Sequence, residues 1–335
     1  MARDTQSATF SFAISNNGEY IAYLESRQKL IVRRVATGQE VGSVAVTPRS
    51  EMIVAAVSDD ASRVVLVSND ADPKQYHVIP LPQTVTLCSV SDGSEVVSPS
   101  LSEYVTQAAA NPYQGAMQPV LLHFLPDNRI IVYRLFGTEE TSVYSEREDA
   151  LTQVDGLTKA WAVSQTGTVV GARVDHQTVH WSSGNEAGGS QDTVTPLVWT
   201  GGESQPIGTQ PLVFHGVPYW PSVISRDGQN VALVVGGNLP DTLWWQTFRL
   251  SDGKWEPTGV RCETPVTWIQ LNPVGVSDDG STLWGLRSDA AGTGGGTSQY
   301  PISVDTATGK WTYWSLPHDP KVPADRFDVV ALILS

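Results

Sequence analysis

The chain is expected to be all-β, on three observations. Short runs rich in Val, Ile, Leu, Thr and aromatic residues recur along it, among them Ile130-Ile131-Val132-Tyr133 and Val231-Ala232-Leu233-Val234-Val235. Runs of that length and composition, bounded by turn formers, read as strands. Sustained helical periodicity is scarce, and only Leu101–Ala110, with its alanines, could hold a helical turn. The 29 Gly and 21 Pro are spread along the sequence and not massed in one tract, as expected for many turns between short elements.

Between the strands one phrase returns: an apolar residue, Ser, any residue, Asp or Asn, Gly, then a new apolar run. It reads Ile14-Ser15-Asn16-Asn17-Gly18, Val163-Ser164-Gln165-Thr166-Gly167, Ile224-Ser225-Arg226-Asp227-Gly228 and Val276-Ser277-Asp278-Asp279-Gly280. Looser copies are Val57-Ser58-Asp59-Asp60-Ala61, Val90-Ser91-Asp92-Gly93 and Leu125-Pro126-Asp127-Asn128. Asp and Asn tolerate the left-handed backbone and bond nearby amides, and Gly takes positive φ without steric cost, so each copy is a hairpin turn. The copies begin near positions 15, 58, 91, 126, 164, 225 and 277, a spacing that suits four-stranded units of about 40 to 50 residues with variable loops. A second turn type alternates with the first: Val35-Ala36-Thr37-Gly38, Leu250-Ser251-Asp252-Gly253-Lys254-Trp255 and Thr306-Ala307-Thr308-Gly309-Lys310-Trp311. It would join an outer pair of strands where the Ser phrase joins the inner pair.

In this turn chemistry the sequence resembles the β-propeller superfamily, in the manner of WD40-like and TolB-like repeats. Ala160–Gly208 is also similar to a bacterial propeller repeat that pairs Ala-x-x-Val-Ser with a later Trp-Thr-Gly-Gly. There is no Trp-Asp dipeptide and no Gly-His pair, so the resemblance is to the architecture and not to true WD40 repeats. It implies a single β-propeller domain over residues 1–335, with seven four-stranded blades. Six is the alternative count, because Ser91-Asp92-Gly93 can instead be an outer turn inside an enlarged second blade. Insertions are expected at 98–119, 182–195 and 288–299. Val329-Val330-Ala331-Leu332-Ile333-Leu334 is expected to pair with N-terminal strands and close the ring, which removes exposed edges.

Composition narrows the function. The net charge of −14 disfavours nucleic acid and anionic membranes. The densest basic stretch, Arg27, Lys29, Arg33 and Arg34, reads as a solvated strand face or edge. Two cysteines, Cys88 and Cys262, are too few for a disulfide framework or a structural zinc site. The start lacks the apolar core of a secretory signal and no run of about 18 apolar residues occurs, so cytoplasmic residence without a membrane span is expected.

Local catalytic signatures are few. Ser277–Trp284 is close to a sialidase Asp-box but one residue short, and such boxes are structural turns. His176 and His180 sit four apart, but on an extended strand that is roughly 13 Å, too far to share one ion. There is no Gly-x-Ser-x-Gly elbow and no phosphate loop. Gly292-Thr293-Gly294-Gly295-Gly296 lacks a strand-to-helix setting for a dinucleotide. The pairs Asp59-Asp60, Glu139-Glu140 and Asp278-Asp279 fall in turns, where solvation or capping is the default role. No cofactor or metal is expected.

The tryptophans are uneven: all 11 lie from Trp161 onward. Trp255, Trp284 and Trp311 follow turns and suit seams between blades. Tyr219, Trp220, Trp244, Trp245 and Trp268 are the candidate binding residues, because Trp244 and Trp245 point to opposite strand faces and the others lie near loops. A non-catalytic propeller scaffold for protein–protein interaction is the expected function. A propeller hydrolase or lyase with a channel site built from several blades is one alternative, and a carbohydrate-binding propeller using the later tryptophans is another. The expected partner is accordingly a protein, with a glycan as the second candidate.

Overall fold

The computed structural model describes residues 11–49, 51–69, 83–108, 120–134, 141–179, 189–202, 204–208, 212–215, 222–236, 243–264, 269–290 and 297–313. The chain divides into two compact units, Met1–Val154 and Asp155–Ser335. Each is built from sequential antiparallel meanders, so the fold is all-β, with six sheets among the described residues, five of four strands and one of five.

In the first unit, one sheet comprises β1 (Phe12–Ile14), β2 (Tyr20–Ser26), β3 (Lys29–Arg34) and β4 (Glu40–Ala45). The next comprises β5 (Glu51–Val57), β6 (Arg63–Asn69), β7 (Gln83–Ser89) and β8 (Glu95–Ser98). The third comprises β9 (Val120–Phe124), β10 (Ile130–Arg134), β11 (Thr141–Ser145) and β12 (Ala150–Gln153). The insertion expected at 98–119 holds helix α1 (Pro99–Ala108). Ser98 caps it, its Oγ accepting the Leu101 N–H at 3.1 Å. Further along, Ser102 and Thr106 hydroxyls accept the Val85 and Gln83 N–H groups, both at 2.9 Å. The helix thus takes over from β8 in covering the edge of β7.

In the second unit, β13 (Lys159–Val163), β14 (Val169–Val179), β15 (Gly189–Trp199) and β16 (Ser204–Pro206) form a sheet, and β17 (Leu212–His215) pairs with the far end of β15. Then follow β18 (Val223–Ile224), β19 (Asn230–Gly236), β20 (Leu243–Ser251) and β21 (Lys254–Thr264). The last sheet is β22 (Ile269–Val276), β23 (Thr282–Ala290), β24 (Thr297–Asp305) and β25 (Trp311–Tyr313). Two expected insertions are thereby corrected. Residues 189–195 are ladder, paired with β14, and within 288–299 the described residues 288–290 and 297–299 are the paired ends of β23 and β24. In both places polar sequence extends a ladder, because ladder hydrogen bonds do not depend on side-chain type. The closing strand expected at 329–334 lies outside the described residues.

The central strands are apolar at successive positions because both their faces are buried. In β6 and β7, Val64, Leu66 and Cys88 pack with Ala22, Leu30, Val32 and Val44 of the preceding sheet. Their neighbours Val65, Val67, Val85 and Leu87 pack with Phe124, Ile130, Val132 and Tyr144 of the following one. The second unit repeats this. Val231 and Leu233 join Val170 and Val198, while Ala232 joins Val276, Leu283 and Ile302. Alternation along a strand sends odd and even residues to opposite faces, so an unbroken apolar run is what a sheet between two others requires.

The two turn types have distinct bonding. After an inner strand, the last turn residue donates its N–H to the carbonyl three residues back: Gly18 to Ser15, Ala61 to Ser58, Asn128 to Leu125, Gly167 to Ser164, Gly228 to Ser225 and Gly280 to Ser277. The buried Ser hydroxyl then accepts the N–H that opens the next strand, as Tyr20 to Ser15 at 3.0 Å, Arg63 to Ser58 at 2.9 Å and Asn230 to Ser225 at 2.8 Å. It donates to the acidic or amide residue two positions on, at 2.6 Å for Ser15–Asn17, Ser58–Asp60, Ser225–Asp227 and Ser277–Asp279. Outer turns instead bond four residues back: Gly38 to Arg34 and Gly309 to Asp305. Gly93 does so too, to Ser89, which puts Ser91-Asp92-Gly93 between β7 and β8 as an outer turn and leaves six inner turns for six described sheets.

Ser225→Ala removes a fully buried hydroxyl and leaves the Asn230 N–H without its acceptor. Urea denaturation is expected to show a loss of about 1–3 kcal/mol. Ser91→Ala, at an exposed outer turn, is expected to stay within about 0.5 kcal/mol of the parent.

Candidate functional site

The first strands of the three sheets in the first unit, β1, β5 and β9, line a partly open pocket of about 220 Å³. Its lining side chains are mostly small or apolar, including Ala13, Ala55 and Ala56, with Asn16 and His123 as the polar ones, and backbone groups make its exposed surface more polar than apolar. Ala55 is unmatched in the β5–β6 register, where the pairing shifts between Val54 and Ala56. Trp161 holds the same place in β13, three residues before its turn serine, between the paired Ala160 and Ala162. Such a bulge re-aims the side chains next to it. The wall is tied together by Asn16, whose Nδ2 donates to the Phe124 carbonyl at 2.6 Å, linking the turn after β1 to the end of β9.

His123 sits between Leu122 and Phe124, which face the core cluster shared with the second sheet. Alternation turns His123 the other way, toward the pocket. Its ring is partly buried, and burial pushes its pKa down to about 4, so the imidazole is neutral at pH 7. Among the described residues no hydrogen bond to the ring is found.

Beside the pocket, successive inner turns lock to one another. Asn17 donates its backbone N–H to Asp59 Oδ1 at 2.8 Å and its side-chain amide to the Asp59 carbonyl at 2.9 Å. Burial raises the Asp59 pKa and outweighs the opposing backbone hydrogen bonds. The second unit repeats the arrangement: the Asp227 N–H donates to Asp278 Oδ1 at 3.0 Å, and Asn230 Nδ2 to the Asp278 carbonyl at 2.6 Å. The paired aspartates therefore divide the work. Asp59 and Asp278 fasten the preceding turn, while Asp60 and Asp279 close their own. Glu139-Glu140 lies outside the described residues. Gly280, at φ +73°, packs where a Cβ would come within 2.6 Å of Asn230 Oδ1, so this seam needs glycine on two counts.

Of the five candidate binding residues, Trp245 is the one whose side chain lies among those described. Trp245 is 1% exposed, packed among Val223, Ala232, Val276, Leu283 and Ile302, and is a core residue. Trp244 lies on β20, opposite Val235 and Glu263. Tyr219, Trp220 and Trp268 lie outside the described residues, as does His180. Trp255 is buried against Val231 and Phe248, and Trp311 packs on the cluster around Trp245, both at seams as expected. The basic stretch is neutralised locally. Lys29 meets Glu25 at 3.0 Å, Arg33 and Arg34 face Glu40 and Glu19 at 3.9 and 4.0 Å, and the two guanidinium groups lie over Tyr23 and Tyr20. Among the described residues no group of three or more His, Cys, Asp or Glu is placed to hold a metal ion. No helix among them is long and apolar enough to cross a membrane. The sequence reading missed the His123 pocket. Its one visible trace is a histidine inside the apolar strand Val120–Phe124.

No protein-family model matches the chain, and no curated protein does either. Among solved structures, a chain of Kuenenia stuttgartiensis hydrazine synthase aligns over 95% of this chain and 100% of its own, at 11% identity and a TM-score of 0.45. Nothing about chemistry carries over at that level.

His123 gives the fold a pH signature. Its folded pKa of about 4 lies below the ordinary 6.5, so below pH 6.5 the unfolded chain takes up a proton that the folded chain refuses. Denaturant stability is expected to fall as pH drops from 7 to 5, and His123→Gln is expected to remove much of that slope. Asp60 and Asp279, held near 2 where 3.8 is ordinary, have their effect lower. For Asp279 the cause is the Ser277 hydroxyl and the Ser281 N–H and hydroxyl; for Asp60, hydrogen bonds from Ser58 and Ser62 prevail over burial. Their stabilising contribution is present above about pH 4 and lost as pH falls toward 2.

Proposed function

We propose that the chain is a recognition scaffold that engages a protein partner along the outer edges of its blades. One observation carries this reading. Among the described residues, the large apolar side chains left exposed are Val41, Val96, Val97 and Val260, on the outermost strands β4, β8, β8 and β21; Val260 is bonded through its N–H to the Thr306 carbonyl of the next sheet, which leaves Val41, Val96 and Val97 as the edge residues in question. An outermost strand keeps a row of backbone donors and acceptors on its free side, and apolar side chains beside that row suit it to accept an added strand. Val96 and Val97 are adjacent, so they face opposite sides of β8 and make that edge apolar on both. An extended apolar segment of a partner protein is the ligand such an edge favours. Tyr219, Trp220, Trp244 and Trp268 are proposed as further partner contacts.

The test is affinity capture with crosslinking mass spectrometry on the full chain, comparing the parent, a Val96→Lys/Val97→Lys variant and a control bearing Thr37→Lys/Gln39→Lys on another exposed outer turn. The parent and the control are expected to recover one defined protein crosslinked to β8, and the valine variant at least tenfold less, with its melting temperature unchanged within a few degrees. Undiminished recovery by the valine variant sinks the proposal.

A further inference from the structure

We propose that the pocket among β1, β5 and β9 is a binding site for a small uncharged ring compound that carries one hydrogen-bonding group, with His123 as its polar partner. This site is distinct from the blade edges and does not rest on the scaffold reading.

Size sets the ligand class. An apolar cavity of about 150 Å³ accepts benzene, whereas sites for drug-sized molecules run to about 300 Å³ and above. At about 220 Å³ this pocket suits one ring with a single polar substituent. The room exists because Ala13, Ala55 and Ala56 stand where larger residues would fill it. It is also preformed: the Asn16–Phe124 hydrogen bond holds two of its walls together before any ligand arrives.

Chemistry sets the polar group and the charge. Among the described residues the pocket is lined by no Asp, Glu, Lys or Arg. An ionised ligand would therefore give up part of its hydration with no counter-charge to replace it. His123 is neutral there, with one ring nitrogen donating and the other accepting, and among the described residues neither has a partner. A ligand hydroxyl is matched to such a group, able to donate to one nitrogen or accept from the other. A bare hydrocarbon leaves the imidazole as it was.

The experiment uses the full chain at pH 7 with phenol, toluene and benzoate as probes, followed by calorimetry and by NMR of the histidine ring nitrogens. The His123 signals are identified by their absence from His123→Gln. Phenol is expected to bind saturably and shift the His123 resonances, with toluene and benzoate at least tenfold weaker. Ala55→Leu, which fills the pocket without touching the histidine, is expected to weaken phenol at least tenfold, as is His123→Gln. A phenol response that does not saturate, or that leaves His123 unmoved, overturns the proposal. So does toluene or benzoate binding as tightly as phenol, or phenol binding equally to the Ala55→Leu variant. If Ala55→Leu fails to fold, the parent's ring-nitrogen spectra still decide the matter, and if His123→Gln fails to fold, His123→Asn identifies the His123 signals in its place.

Discussion

The structure depends on sheets that are dry on both faces. A strand such as β6 sends Val64 and Leu66 to one neighbouring sheet and Val65 and Val67 to the other. Each such side chain contributes about 1.5–3 kcal/mol when fully buried, so the seams between sheets are the main store of stability within each unit. A sheet used this way cannot stand alone, since one of its apolar faces would meet water. That is why the unit of construction is a set of sheets in contact, and why the largest residues, Trp245 and Trp255 among them, are spent at the seams.

Apolar packing alone leaves registration between neighbouring sheets loose, because the hydrophobic effect has no direction. The inner turns supply the direction. Each Ser hydroxyl fixes its own hairpin, and the carboxylate or carbonyl of the next turn accepts from the one before, as Asp59 does from Asn17 and Asp278 from Asp227. The Asn17–Asp59 bond is partly buried at 2.8 Å and the Asp227–Asp278 bond is exposed at 3.0 Å. They hold the turn end of each sheet at a set offset from the next. The same fixing keeps Asn16 in place to reach Phe124 across the pocket. A rigid frame around a small void follows from turn chemistry that, taken one turn at a time, looks purely local.

The blade edges are built on the opposite principle. β4 and β8 have a strand partner on one side only, and their valines Val41, Val96 and Val97 are exposed. The ends of the fold that are locked and the edges that are open thus differ in kind: the former suit a small preformed site, the latter an adaptable contact with another chain.

What the sequence determined by itself is everything that acts within about six residues. The strand runs, the Ser-x-Asp-Gly hairpins and the alternation of two turn types are local, and the all-β meander follows from them. Its limit shows at Ser91-Asp92-Gly93, where the same letters serve an outer turn; which carbonyl Gly93 reaches depends on whether β7 or a new sheet precedes it. The tertiary structure decided what depends on residues far apart. It buried Trp245, which by pattern alone could have faced solvent, because the apolar face of the last sheet lies against it. It gave Asp59 and Asp278 their seam partners some fifty residues away. It placed His123 against strands from two other sheets, where burial makes it neutral and leaves it facing a void. No spacing rule links positions 13, 55 and 123, so only the packing of whole sheets could bring them together.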